Sequence, residues 1–129
     1  MNKILVEVSV GELLDKISIL EIKQEKIKDT AKLKFIDEEH SILKDQLNNN
    51  LKYNQKLTEL FETLKQINAK LWIIEDDKRQ CEKDKIFTEK FIKLSRDIHF
   101  LNDDRAKVKL EINDFTGSKI KEIKEYTNY

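Results

Sequence analysis

The chain has 129 residues, 39% of them charged and 39% hydrophobic, which fits one domain and is short for two. It contains no proline and only two glycines, Gly11 and Gly117. A sandwich or barrel needs turn residues throughout, so an all-β fold is close to excluded. Lys plus Arg and Asp plus Glu number 25 each, leaving no basic excess with which to track a nucleic-acid backbone.

The first segment, Lys3-Ile4-Leu5-Val6-Glu7-Val8, reads as a strand, yet the sequence offers no second strand to pair with it. Unpaired backbone groups are costly, so residues 1–8 are expected as an extended arm. That arm either lies along the helices or pairs with the same segment of another subunit. Glu7 interrupts its apolar run, so no signal-peptide core is present, and no stretch approaches the length of a membrane span.

Helical spacing takes over from residue 9. Ser9 and Glu12 have the separation of a capping box. Val10, Leu13, Ile17, Leu20, Gln24, Ile27 and Ala31 then recur by threes and fours. A break at Asp29-Thr30 precedes a second stripe, Leu33, Ile36, His40, Leu43 and Leu47, which the run Asn48-Asn49-Asn50 ends. These two helices form a short first hairpin over 9–48.

A third stripe runs Tyr53, Leu57, Leu60, Leu64, Ile67, Leu71 and Ile74, and Cys81 continues it. The polar run 82–85 marks a turn. The fourth stripe is Phe87, Phe91, Leu94, Ile98, Leu101, Arg105, Val108, Ile112 and Phe115. Sustained three/four spacing predicts coiled-coil-like packing of long helices. At the usual helical rise each would be roughly 45 Å long, folded back as an antiparallel hairpin over about 53–115, within 51–116. Gly117 suits a helix C′ position, and a short C-terminal helix is expected within 118–129. The fold class is therefore all-α, one helical domain over 1–129.

Only three cations are Arg, and Arg79, Arg96 and Arg105 all fall in one stretch. Arg105 interrupts an apolar stripe, where a lone charge costs several kcal/mol, about 3–5 when one partner of a buried pair is missing. Its partner is expected among Glu59, Glu62, Asp15 and Glu21. It serves either as a buried ion pair that fixes register, or as one wall of an anion pocket with Asn102 and Lys109. Trp72, Glu75, Asp76 and Arg79 share one face of the third helix, with Glu75 and Arg79 at ion-pair spacing. Hairpin geometry puts Arg96 nearly level with Trp72 and Asp76.

His40 and His99 have no ligand-spaced neighbours, so no metal site is expected. His40 should hydrogen-bond Ser18 or a nearby carboxylate. The lone Cys81 reads as a packed thiol in a reducing compartment, hence a cytoplasmic protein. No catalytic motif and no cofactor-binding motif is present.

Four segments resemble a family of small, uncharacterised helical proteins of bacteria and phages, often encoded beside surface-polysaccharide glycosyltransferases. They are residues 8–23, Leu71-Trp72-Ile73-Ile74-Glu75-Asp76 with Arg79, residues 91–113, and Gly117-Ser118 with Glu122, Lys124 and Tyr126. The resemblance marks Asp15, Lys16, Glu21, Lys23, Glu75, Asp76, Arg79, Arg96, Asn102, Asp103, Arg105 and Lys109 as recurring polar positions. Lys78 departs from it, since an apolar residue is expected there.

Two functions remain open. The first is a helical binding or assembly module, expected as a homodimer, acting with a protein partner such as a polysaccharide-synthesis enzyme. The second is a small all-helical enzyme or sensor that binds an anionic ligand between helices. Such a site would use Arg96, Arg105, Lys16 and a carboxylate, by analogy with helical chorismate mutases.

Overall fold

Each break in the periodicity becomes a helix end in the computed structural model, which describes residues 2–129. Ser9 Oγ accepts the Glu12 N–H at 3.0 Å and opens α1 (Val10–Lys26). Asp29 caps α2 (Thr30–Asn50) by accepting from Ala31 and Lys32. Asn54 caps α3 (Gln55–Asp84) through the Leu57 N–H. Lys85, in the left-handed region at φ 55°, ends α3. Thr88 leads into α4 (Glu89–Thr116), which stops at Gly117 with φ 67°. No strand occurs among the described residues, and no helix is long and apolar enough to cross a membrane.

The architecture is all-α: α3 and α4 form the long antiparallel hairpin, and α1 and α2 form the shorter one. The backbone of α1 packs closely on all three other helices, whereas that of α2 approaches α1 alone. The core sits where α1 enters the open end of the long hairpin. There Leu14 and Ile17 meet Leu57, Leu60, Leu64, Ile67 and Leu71 of α3 and Val108 and Ile112 of α4. Leu47 is the one residue of α2 buried among them. Seventeen residues of α1 span about 25 Å and thirty of α3 about 45 Å, so the turn end of the hairpin projects beyond α1. In that projection Cys81 is buried while Ile73, Phe87 and Ile92 are exposed. Lys78, at its apolar position, lays its ammonium 5.4 Å from the centre of the Phe91 ring and stays half-buried.

Several boundaries differ from expectation. The first hairpin runs to Asn50, and the long hairpin begins at Gln55 because Asn54 supplies its cap. Residues 118–129 form no helix. A helix that short needs a packed face, and here Ile123, Tyr126 and Tyr129 are exposed. The segment is instead a strap tied by side chains: Ser118 Oγ accepts the Val10 N–H, Glu122 pairs with Lys109, and the Tyr129 hydroxyl donates to Asp103. At the other terminus, residues 2–8 form an exposed arm that does not pack along the helices. Met1, the first residue of the expected arm, lies outside the described residues.

Candidate functional site

Asp15 lies on α1 between Leu14 and Ile17, so the packing that buries those two residues carries its carboxylate into the bundle. It is 1% exposed. Arg105, from the apolar stripe of α4, meets it with two parallel hydrogen bonds, Nε to Oδ1 at 3.0 Å and a terminal nitrogen to Oδ2 at 2.5 Å. This fork is the geometry that makes guanidinium–carboxylate pairs strong. Asn68 of α3 donates from Nδ2 to Asp15 Oδ1 and to Ser18 Oγ, both at 2.8 Å, and Ser18 in turn donates to the Asp15 carbonyl. One polar network thus joins the three helices that share the core. No buried side-chain polar atom among the described residues lacks a partner. The hydrogen bonds that Arg105 donates to Asp15 hold its charge more firmly still, outweighing the opposing effect of burial.

Beside the network, Lys109 is almost fully buried and donates to Glu12 at 2.8 Å and Glu122 at 2.7 Å, with Asp15 Oδ2 at 4.0 Å. Burial pushes its ammonium pKa down. The hydrogen bonds and charges of Glu12, Glu122 and Asp15 together reverse that and leave it raised. Lys109 in return holds the Glu122 carboxyl below the usual glutamate range. The N-terminus of α1 is occupied as well. Its N–H groups go to Ser118 Oγ from Val10, Asn113 Oδ1 from Gly11 and Ser9 Oγ from Glu12.

Above Arg105 opens a groove of about 420 Å³ between α1, α3 and α4. Ile19, Ile22 and Leu71 floor it, Asn68, Asn102 and Arg105 line its inner wall, and Trp72, Glu75, Asp76 and Arg79 form its rim. The α3 quartet and the α4 pair, separate in sequence, therefore meet in one place. Glu75, Asp76 and Arg79 are exposed, and none forms an ion pair among the described residues. The expected Glu75–Arg79 pair is absent among the described residues, although both residues line the groove.

The other candidates divide. Lys16 and Lys23 share a smaller, adjoining recess with Asp15, Glu39 and Arg105, and Ile19 lines both. Asp103 faces the strap, in a recess with Lys124 and Tyr126. Glu21 turns to α2 and α3, where its Oε2 is 3.1 Å from His40 Nε2 and its Oε1 is 3.4 Å from Lys65. That fulfils the carboxylate alternative for His40. Arg96 does not join the groove. It lies on the outer side of α4 over the Phe100 ring, in a separate recess of about 600 Å³ with Ile92. Of the expected triad Arg96, Arg105 and Lys16, only the last two line one recess. Glu59 and Glu62 take no part in pairing Arg105, which Asp15 occupies alone.

Sequence reasoning missed Asn68, which completes the Asp15 network. The available signal was its place directly after Ile67 on the inner face of α3, one helical turn ahead of Trp72. It also missed Glu12 as the counter-charge of Lys109, having assigned it to capping alone. Among the described residues, no three His, Cys, Asp or Glu side chains gather as a metal site would require.

The fold and groove define a four-helix, all-α protein with a charged cleft built on a buried Asp–Arg–Asn network. The chain belongs to a family of unknown function, DUF6165, whose model matches residues 4–129. No curated protein and no solved structure matches the chain.

Proposed function

We propose that the protein is a helical binding and assembly module, receiving a polar group of its partner in the groove between α1, α3 and α4. One observation carries this reading: Glu75, Asp76 and Arg79 stand on the rim with no ion pair among the described residues, while Arg105 beneath them is already engaged by Asp15. The Asp15–Arg105 pair contributes no net charge, so an entering group meets two carboxylates, one guanidinium, the amides of Asn68 and Asn102 and the Trp72 indole. That set suits hydroxyl, amide or ammonium groups and opposes a strongly anionic one. The buried network holds the three walls rigid before a partner arrives.

The second reading, an enzyme or sensor for an anionic ligand, draws on Arg105, Lys16 and Lys109. Lys109 is surrounded by Glu12 and Glu122 and Arg105 by Asp15, which leaves Lys16 as the uncommitted cation there. The geometry therefore favours the binding module. A cytoplasmic setting suits the buried thiol of Cys81. The association with polysaccharide-synthesis enzymes rests on the resemblance of residues 8–23, 71–79, 91–113 and 117–126.

The test is capture of a surface-polysaccharide glycosyltransferase by the full chain, measured beside the double variant Asp76→Ala with Arg79→Ala. Loss of roughly tenfold or more in affinity, about 1.4 kcal/mol, at unchanged melting temperature supports the groove as the contact. The opposite finding is thermal stabilisation by anionic metabolites or nucleotide sugars. At roughly 100 times its dissociation constant a true ligand adds about 2.7 kcal/mol, and its loss on Lys16→Ala would establish the anion-binding reading instead.

A further inference from the structure

The arm that precedes α1 has a composition at odds with its surroundings. Ile4, Leu5 and Val6 are 87%, 79% and 74% exposed. Residues 2–8 lie in neither helix nor strand and make no hydrogen bond to any described residue. Three consecutive large apolar side chains in water, on a segment rich in β-branched residues, leave both apolar surface and backbone groups uncovered. Nothing within the chain relieves this, because no strand exists among the described residues to pair with it.

We propose that residues 3–7 pair antiparallel with the same segment of a second copy, centred on Leu5, and that this ribbon is the dimer contact of the protein. The charge pattern selects the partner. Lys3 and Glu7 sit two residues to either side of Leu5, so a two-fold axis through Leu5 sets Lys3 opposite Glu7 of the other copy, twice. A two-fold contact requires this kind of self-complementary surface. The same register opposes Leu5 to Leu5 and Ile4 to Val6, so that one face carries ion pairs about a leucine and the other only β-branched residues. A one-residue slip sets Ile4 against Glu7 twice and mixes the faces. Centring on Val6 instead places Leu5 against Glu7 and loses both ion pairs. Opposite charges directly across an antiparallel pair stabilise it, and like charges there destabilise it.

Sedimentation of the full chain at micromolar concentration tests the proposal, with helicity confirming that each variant stays folded. The wild type should sediment as a dimer. Lys3→Glu alone and Glu7→Lys alone each place like charges at both cross-strand positions and should shift the protein towards monomer. The two single variants mixed together, or Lys3→Glu combined with Glu7→Lys in one chain, should return the dimer. Under mild oxidation Leu5→Cys should cross-link to itself, whereas Ile4→Cys should not, and the buried Cys81 does not compete. A monomeric wild type overturns the proposal. So does a dimer that ignores the charge reversals, or cross-linking through position 4 in place of position 5.

Discussion

Asp15 combines nearly complete burial with three donors: two from Arg105 and one from Asn68, while Lys109 waits at 4.0 Å. Replacing Arg105 with Leu removes the only full counter-charge and leaves the carboxylate in the core. The expected loss is about 3–5 kcal/mol, towards the lower figure because Lys109 can close in. Replacing Asp15 and Arg105 together with Leu should recover most of it, since a packed apolar seam tolerates the exchange. A urea curve for Arg105→Leu that matches wild type would show the pair to be dispensable. Glu122 gives a pH-dependent counterpart. Its folded pKa is lowered, so its contribution is complete above the ordinary glutamate value of about 4.3 and disappears as pH falls through the folded value. Backbone NMR signals of residues 118–123 should move in that acid range, and Glu122→Gln should abolish the movement. Signals that stay fixed down to the acid limit would mean the strap is held by something other than Lys109. Arg105 was legible in the sequence because it broke an apolar repeat. Asn68 was not, because a polar residue beside a stripe reads as its solvent edge until a third helix covers it.

Among the helices, α1 is shaped by the close approach of α4. A β-carbon built on Gly11 would lie 2.6 Å from the Lys109 carbonyl oxygen and 3.0 Å from Asn113 Oδ1. The first of these is backbone and cannot swing away. Alanine is the better helix former by about 1 kcal/mol, yet Gly11→Ala must push α1 off α4 and stretch the Gly11–Asn113 hydrogen bond. A net destabilisation of about 1–3 kcal/mol is expected, read as a lower urea midpoint. A gain in stability would show that the helices separate at no cost. The same crowding explains how the stripes performed. On α2, Leu33, Ile36, His40, Leu43 and Leu47 are the inner face, as spacing predicted. On α1 the single stripe was too narrow: Leu14, Asp15, Ser18 and Ile22 are buried as well. A helix with neighbours on three sides has no solvent face through much of its length, and periodicity seeks one. The terminal segment 118–129 shows the converse, where a helical pattern without a surface to pack on gives no helix.

Across the whole molecule, burial is distributed in a way that predicts the order of opening. α1 is enclosed by three helices, and its centre, Leu14 to Leu20, contains four of the chain's most deeply buried residues: Leu14, Asp15, Ile17 and Ser18. α2 buries only Leu47, near its C-terminal end, and exposes Phe35 at 72% and Ile42 at 61%. Its N-terminal half is held by partly buried Leu33 and Ile36, by the Gln24–Asp37 hydrogen bond and by the His40–Glu21 contact. Local opening free energy follows such differences in buried apolar contact. Native-state hydrogen exchange should therefore find the amides of 33–42 exchanging well before those of 14–20, with the latter opening only in global unfolding. The turn end of the long hairpin, 78–92, should fall between them, because its two helices cover each other but no third helix covers them. If α2 exchanged as slowly as α1, the two hairpins would form one cooperative unit. Leu47 would then be coupled to the core as tightly as α1 itself, and substituting Leu47→Ala should in that case unfold the whole chain rather than free α2.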